Sequence, residues 1–395
     1  MEALILSCGT GGGHNAAGLA VKEELERRGH HAVMIDPYSL AGPKVERAVS
    51  NTYVKTVQKT PRLFGVAYWL GNEVRRIPGH SPVYAANKAM CGKMQAYLSA
   101  NRYDIVLMPH VFPGEILTGM REKGMETPGT IFIATDYACI PFTEETSCDY
   151  YAVPSRDLLP EFIGRGIPSE KLCPTGIPVK RMFREDTSRP DAVRALGLDP
   201  DKRYLLLVGG SIGAGQIVRT VRILLRYLRA HPELRLLVIC GSNRKLLENL
   251  RKKFGQESAI RLFGRTDRMG LYMKAADVCL SKPGGLSSTE AAVAGVPLIH
   301  LSPIPGCENI NMNYFRTRGM CFAVGDRLRR LPEALDRVLD PAFAARMRAR
   351  QRAGINPAAA SDICDLAERL AAERASGKLP FGGTQEPPVT EAPAE

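Results

Sequence analysis

Residues 281–297, SKPGGLSSTEAAVAGVP, set two glycines and three hydroxyls just ahead of Glu290. An apolar, strand-like run (276–280) leads into them and a helical pattern follows, so the stretch reads as a strand, a glycine turn and a helix start. Free backbone N–H groups and the positive end of a helix dipole attract phosphate oxygens, and a carboxylate about one turn in accepts from paired ribose hydroxyls. The chemistry on offer is a nucleoside diphosphate pocket built from Gly284, Gly285, Ser287 and Glu290. An ordinary strand-to-helix turn uses the same residue types as punctuation.

Two further stretches of the second half bear on that chemistry, and a third extends it. The loop GGSIGAG (209–215) follows the apolar run 204–208, and its Gly210, Ser211 and Gly213 would share one diphosphate with the first loop. Phe263, Gly264 and Arg265 close another apolar run and would offer backbone groups to a base edge. In PGCENIN (305–311), Glu308 and Asn311 supply the acceptors and donors that sugar hydroxyls need, although a polar surface loop has the same composition.

The first half opens with CGTGGGH (8–14), which lacks the Lys-Ser/Thr pair of a triphosphate-binding loop. Asp36 ends the second apolar run where the ribose acid of a dinucleotide site would stand, but the glycine spacing is not GxGxxG. Gly12 and Gly13 instead carry the imidazole of His14 to the edge where open α/β sheets bind ligands, and histidine serves there as a general base near neutral pH. Thr135-Asp136-Tyr137 and Pro109-His110 end two more apolar runs at the same edge. Asp136 would orient His14 or the acceptor, act as the base itself, or simply cap a helix.

These residues need strands to carry them. Apolar runs at 3–7, 32–35, 105–108, 130–134 and 150–153, then at 204–208, 236–240, 260–263, 278–280, 297–301 and 321–324, alternate with helical patterns. That alternation predicts an α/β fold with parallel sheets covered on both faces. A link is expected near 176–179, ahead of a polar, proline-bearing run (185–202) with one short helix. Ile363, Leu366, Ala367 and Leu370 fall at helical spacing and predict a docked helix. The last twenty residues hold four prolines and three glycines with little apolar content, which predicts disorder.

At 395 residues, 45% hydrophobic and 24% charged, the chain suits two globular domains. No apolar stretch is long enough to span a bilayer, and the apolar run from residue 3 has no basic leader, so no signal peptide is expected. Ten cysteines without a CxxC pair predict neither a zinc site nor a disulfide framework and fit a reducing cytosol; Cys240 and Cys279 sit in apolar runs as small hydrophobes. The net charge of +12 calls for a phosphate-bearing partner: nucleic acid, acidic lipid or nucleotide. Residues 44–102 hold ten Lys and Arg against two acids, with Trp69 beside Tyr68 and with Arg75 and Arg76 close by. Basic residues interleaved with aromatics suit an anionic headgroup surface, as well as a plain solvated face. No recognised nucleic-acid motif accompanies the charge, so no nucleic-acid partner is expected.

Taken together, GTGGGH (9–14), TDY (135–137), GGSIGAG (209–215), SKPGGLSSTEA (281–291) and PGCENIN (305–311) resemble the inverting GT-B glycosyltransferases. Monogalactosyldiacylglycerol synthases and processive diacylglycerol glucosyltransferases share the most with them, and the lipid I N-acetylglucosaminyltransferase less. The resemblance covers about residues 3–370. It departs from those families at Cys307, where they carry Gln, and at Cys139-Ile140-Pro141, where Cys-His-Pro is usual.

The resemblance implies two Rossmann-like domains facing across a cleft: an acceptor- and membrane-binding domain (1–178), a UDP-sugar-binding domain (179–355), a helix (356–375) returning to the first domain, and a disordered tail (376–395). Glu290 would hold the ribose, Ser211 and Ser287 the diphosphate, and the 263–265 backbone the uracil. Glu308 and Asn311 would face the sugar, and His14 would be the base. Gly12, Gly13, Trp69, Arg75, Arg76 and His110 would meet the lipid acceptor and the membrane. The expected enzyme moves a hexose from a UDP-sugar to diacylglycerol, with inversion, on the inner face of the cell membrane. The UDP-sugar is a substrate, and no cofactor or metal is expected. Transfer of N-acetylglucosamine to an undecaprenyl-linked acceptor is the nearest alternative; an NAD-dependent oxidoreductase using Asp36 and a basic nucleic-acid-binding protein are more distant ones.

Overall fold

The computed structural model describes residues 1–9, 12–49, 79–209 and 216–377. Gly210, Ser211, Gly213, Trp69, Arg75 and Arg76 lie outside the described residues, as does the tail from 378 onward.

Two six-stranded sheets form, both wholly parallel. The first contains β1 (Glu2–Leu6), β2 (His31–Ile35), β3 (Ile105–Met108), β4 (Gly129–Ile133), β5 (Tyr150–Ala152) and β6 (Leu172–Cys173), in the order β2-β1-β3-β4-β5-β6. The second contains β7 (Arg203–Val208), β8 (Leu234–Ile239), β9 (Ile260–Phe263), β10 (Val278–Ser281), β11 (Leu298–Leu301) and β12 (Phe322–Gly325), in the order β12-β11-β10-β7-β8-β9. Every expected strand is present within two residues at each end. Only the two-residue β6 has no counterpart, since Leu172 and Cys173 are too short a run to stand out.

The strands are apolar on both faces because helices cover both sides. Leu4, Ile5, Val106, Leu107, Leu206, Leu207, Leu236 and Leu237 are all fully buried. The covering helices are amphipathic: along Ile217–Ala230, Val221, Leu224, Leu225 and Leu228 face inward, while Arg219, Arg222, Arg226 and Arg229 are exposed. The final helix, Ala359–Ala375, lays Ile363, Leu366, Ala367 and Leu370 against Ala3, Ile5, Val21 and Leu25, so the end of the chain packs on its first half. A charged network fastens it. Arg28 donates to Asp365, Glu368 and the Ser361 carbonyl, and Glu24 accepts from Arg27, Arg28 and Arg184.

The strand orders also fix where ligands can bind. Open parallel sheets bind at the point where the strand order reverses, outside the carboxyl ends of the strands. In the first sheet that point lies between β1 and β3, so the turn into His14 and the turn at Pro109-His110 meet there. In the second it lies between β7 and β10, which brings Gly209 beside the Ser281–Gly285 turn.

Candidate active site

Both reversal points open on one cleft of about 470 Å³. From the first half it is lined by Gly12, Gly13, His14, Thr135 and Asp136; from the second by Arg265, Gly284, Gly285, Ser287, Glu290 and Glu308. Residues whose types alone suggested chemistry therefore converge from five separate loops.

His14 sits in the first turn of helix Gly12–Arg27. Its Nδ1 lies 2.7 Å from the carbonyl oxygen of Pro109 and 2.9 Å from Thr135 Oγ1. A carbonyl only accepts, so Nδ1 carries the proton and Nε2 keeps its lone pair. Burial lowers the imidazole's pKa below its ordinary value, and the Asp136 charge and the Pro109 hydrogen bond oppose that shift. The ring is thus neutral and basic at Nε2 near neutral pH.

His110, expected to meet the acceptor, stands behind His14 instead. Its ring makes an edge contact with His14 at 4.6 Å, its Nδ1 accepts from the Phe112 amide as a helix cap, and burial pushes its pKa well down. It is a neutral prop for the His14 imidazole and does not line the cleft. Asp36 is likewise spent locally: its carboxylate accepts from the amides of Gly9 and Tyr38, both at 2.9 Å, which removes the acid a dinucleotide ribose would need.

The donor side begins with Gly284, which precedes helix Gly285–Val293 with extended backbone. The free amides of that helix start face a cleft that also receives Lys180, Arg265 and Lys282. Positive dipole end and cations together make an anion site. Ser287 Oγ donates to the Gly284 carbonyl at 3.2 Å, and the buried Ser281 hydroxyl at the cleft wall has no hydrogen-bond partner among the described residues. The carboxyl of half-buried Glu290 also has no hydrogen-bond or ion-pair partner among the described residues, and burial raises it to about 8, with Lys180 opposing. Glu308 is held on both oxygens, by Lys282 Nζ at 2.8 Å and by the Ile304 amide at 2.6 Å, and so presents a fixed carboxylate.

Three expectations shift. Phe263 packs on Tyr272 and Gly264 lies against Leu247, so neither lines the cleft; Arg265, Thr266, Asp267 and Gly241 do. Asn311 is fully buried and does not face the cleft: its Nδ2 donates to Asp136 Oδ1 and its Oδ1 accepts from the Tyr137 amide, each at 2.7 Å. Gly285 does more than shape a phosphate turn, because a Cβ there would stand 2.1 Å from the Thr135 carbonyl oxygen. Lys180 and Lys282 line the cleft without having been singled out, as does Cys307, noted only as a departure from the family pattern. Lys282 lay inside the SKPGG motif as a visible signal, whereas nothing local marks Lys180 at the junction between the halves. Among the described residues no group of three His, Cys, Asp or Glu side chains has the geometry to hold a metal, and no helix is long and apolar enough to cross a membrane.

Comparisons with known proteins follow the same division. The family model for monogalactosyldiacylglycerol (MGDG) synthase matches residues 14–179, and that for the glycosyltransferase family 28 C-terminal domain matches residues 204–370. The processive diacylglycerol beta-glucosyltransferase of Bacillus licheniformis is 25% identical over 325 residues, 81% of this chain and 82% of that protein. Its counterpart from Staphylococcus carnosus is 28% identical over 228 residues, so the match spans little more than half of either protein, 58% of this chain and 57% of that one. Among solved structures, MurG of Acinetobacter baumannii has a TM-score of 0.62 at 15% identity, covering 93% of this chain and 99% of its own. UDP-GlcNAc 2-epimerase of Neisseria meningitidis, bound to UDP-GlcNAc, scores 0.61 at 13% identity, covering 93% and 100%. These two structures share the fold. The chain belongs to the GT-B glycosyltransferases, its first half of the monogalactosyldiacylglycerol synthase family and its second half of glycosyltransferase family 28.

Proposed function

We propose that this glycosyltransferase moves a hexose from a UDP-sugar to diacylglycerol with inversion at the anomeric carbon, working at a membrane surface. The observation that carries the reading is the pairing of His14, proton on Nδ1 and lone pair on Nε2, with an anion-binding helix start across the same cleft. A base on one wall and a diphosphate seat on the other is the arrangement that an in-line displacement needs.

The steps balance simply. Nε2 of His14 takes the proton of the acceptor hydroxyl as its oxygen bonds to the anomeric carbon. The bond from that carbon to the β-phosphate oxygen breaks, and UDP leaves with the electron pair. The helix start at Gly285 and the ammonium groups of Lys180 and Lys282 offset the charge that develops on the diphosphate. Glu290 takes the ribose hydroxyls, and Glu308, fixed by Lys282 and the Ile304 amide, faces the sugar.

Diacylglycerol as acceptor is supported by the names of the relatives above, which act on that lipid. The net charge of +12 and the basic stretch at 44–102 support a seat on the anionic inner face of the cell membrane. An undecaprenyl-linked acceptor has only a likeness of fold in its favour. Incubation with diacylglycerol vesicles and a panel of UDP-sugars, with lipids read by mass spectrometry, should yield a glycosyl-diacylglycerol. A product only on undecaprenyl-linked acceptors would replace this reading with the other.

A further inference from the structure

The three residues Thr135, Asp136 and Tyr137 leave the first half in one step and end inside the second. Thr135 Oγ1 touches His14, Asp136 lines the cleft, and Tyr137 is all but buried among residues of the other half. The Tyr137 ring stacks on Tyr314 at 4.4 Å and meets Phe315 edge-on at 5.1 Å, while its hydroxyl lies 2.7 Å from Thr289 Oγ1. Asn311, on helix Cys307–Thr317 of the second half, binds both Asp136 and Tyr137 through its two amide atoms. One turn earlier on that helix stands Cys307, whose thiol pKa burial pushes well up and the nearby Asp136 charge raises further.

We propose that Asn311 is a positioning residue: it holds the Asp136 carboxylate in place beside His14 from across the cleft, so that the base is complete only when the two halves are docked. The proposal rests on the reading of His14 as the base. The amide is the group the place demands. Nδ2 must donate to a carboxylate and Oδ1 must accept from a backbone amide, so a carboxylate at 311 would oppose Asp136 and an apolar isostere would leave two buried groups unsatisfied. Asn311 is completely buried and does not line the cleft where a donor sugar would lie.

Asp136 acts on His14 by charge. Burial lowers the imidazole's affinity for protons, and the Asp136 charge raises it. The other ionisable groups around the site are His110 behind the ring and, across the cleft, Lys180, Arg265, Asp267, Lys282, Glu290, Cys307 and Glu308. None of these is held by Asn311, so freeing Asp136 is the change that its replacement makes first.

The test follows the His14 imidazole by NMR titration in wild type, Asn311→Leu and Asp136→Asn, with the His14 signal assigned by its loss in His14→Gln. UDP affinity is measured alongside by calorimetry. Asn311→Leu should move the His14 titration in the same direction as Asp136→Asn, to lower pH, with turnover down about 10²-fold and UDP affinity within about twofold of wild type. Should the leucine variant not fold, Asn311→Ser removes both contacts without added bulk and carries the same expectation. An unmoved His14 titration would overturn the proposal, and so would a loss of UDP-sugar affinity that accounts for the whole loss of turnover, which would make Asn311 a donor contact. The titration and the UDP binding need no acceptor, so they remain decisive even if the lipid assigned above is wrong.

Discussion

The backbone of Gly285 lies directly on the carbonyl oxygen of Thr135, so close that a Cβ would reach 2.1 Å from that oxygen and 3.0 Å from the Asp136 Cα. The helix start of one half and the loop that touches His14 in the other are therefore a single packed unit. Gly285→Ala should push the halves apart at this point. Displacements of about 1 Å near reacting groups cost on the order of 10²-fold in rate, so kcat should fall by about that much while far-UV circular dichroism stays native. Full turnover by this variant would show that the contact has no part in the chemistry.

His14→Ala should lower kcat by about 10²- to 10⁴-fold, the usual worth of a general base. The wild-type pH profile carries its own signature. Because burial lowers the His14 pKa below 6.5, the acid limb of kcat/KM should have its midpoint below that value. Activity is lost as pH falls through the lowered pKa, where Nε2 gains a proton.

Glu290 gives a pH effect of the same sense on binding, at higher pH. Its carboxyl is raised to about 8 by burial, so it is largely protonated at neutral pH and ionises as pH rises through that value. Only the carboxylate accepts from both ribose hydroxyls, so UDP should bind more tightly at pH 8.5 than at pH 7 on the order of the fraction ionised. Glu290→Gln should flatten that dependence and weaken UDP binding about tenfold or more. Calorimetric titration at both pH values reads both effects.

Glu24 tests the fastening of the final helix. Hydrogen bonds from Arg27 above all, and from Arg28, hold its carboxyl down to about 2, well under its ordinary 4.5. A depressed carboxylate adds stability that is present above the unfolded pKa and lost as pH falls through the folded one. Glu24→Gln should therefore cost about 3 kcal/mol at pH 7, as breaking one side of a buried charge network does, and nearly nothing close to pH 2. Urea denaturation across that range measures it, and hydrogen exchange in Ala359–Ala375 should rise in step.

Much of this site was legible because parallel α/β strands advertise themselves. Short apolar runs ending in glycine, serine or a polar pair mark both the strand and the sheet edge where ligands bind, so His14, Asp136, Glu290 and Glu308 could be placed on one cleft from their neighbours in sequence. Asn311 and Gly285 were legible as types, but the contacts they make across the cleft were not. Their partners, Asp136, Tyr137 and Thr135, lie 149 or more residues away in the chain, and only the docking of the two halves brings them together. His110 shows the same limit on a smaller scale: a histidine after a strand has one sequence signature, whether it faces the ligand or stands behind the residue that does. Lys180 had no local motif, since its place in the cleft comes from the junction between the halves.

The central claim is a base-assisted, inverting transfer to diacylglycerol. The most direct measurement is the anomeric configuration of the lipid product formed from an α-linked UDP-sugar, read from the anomeric proton coupling by NMR. The account predicts a β-glycosyl-diacylglycerol that His14→Ala fails to make. An α-linked product, or no glycosylated diacylglycerol from any UDP-sugar, would contradict it.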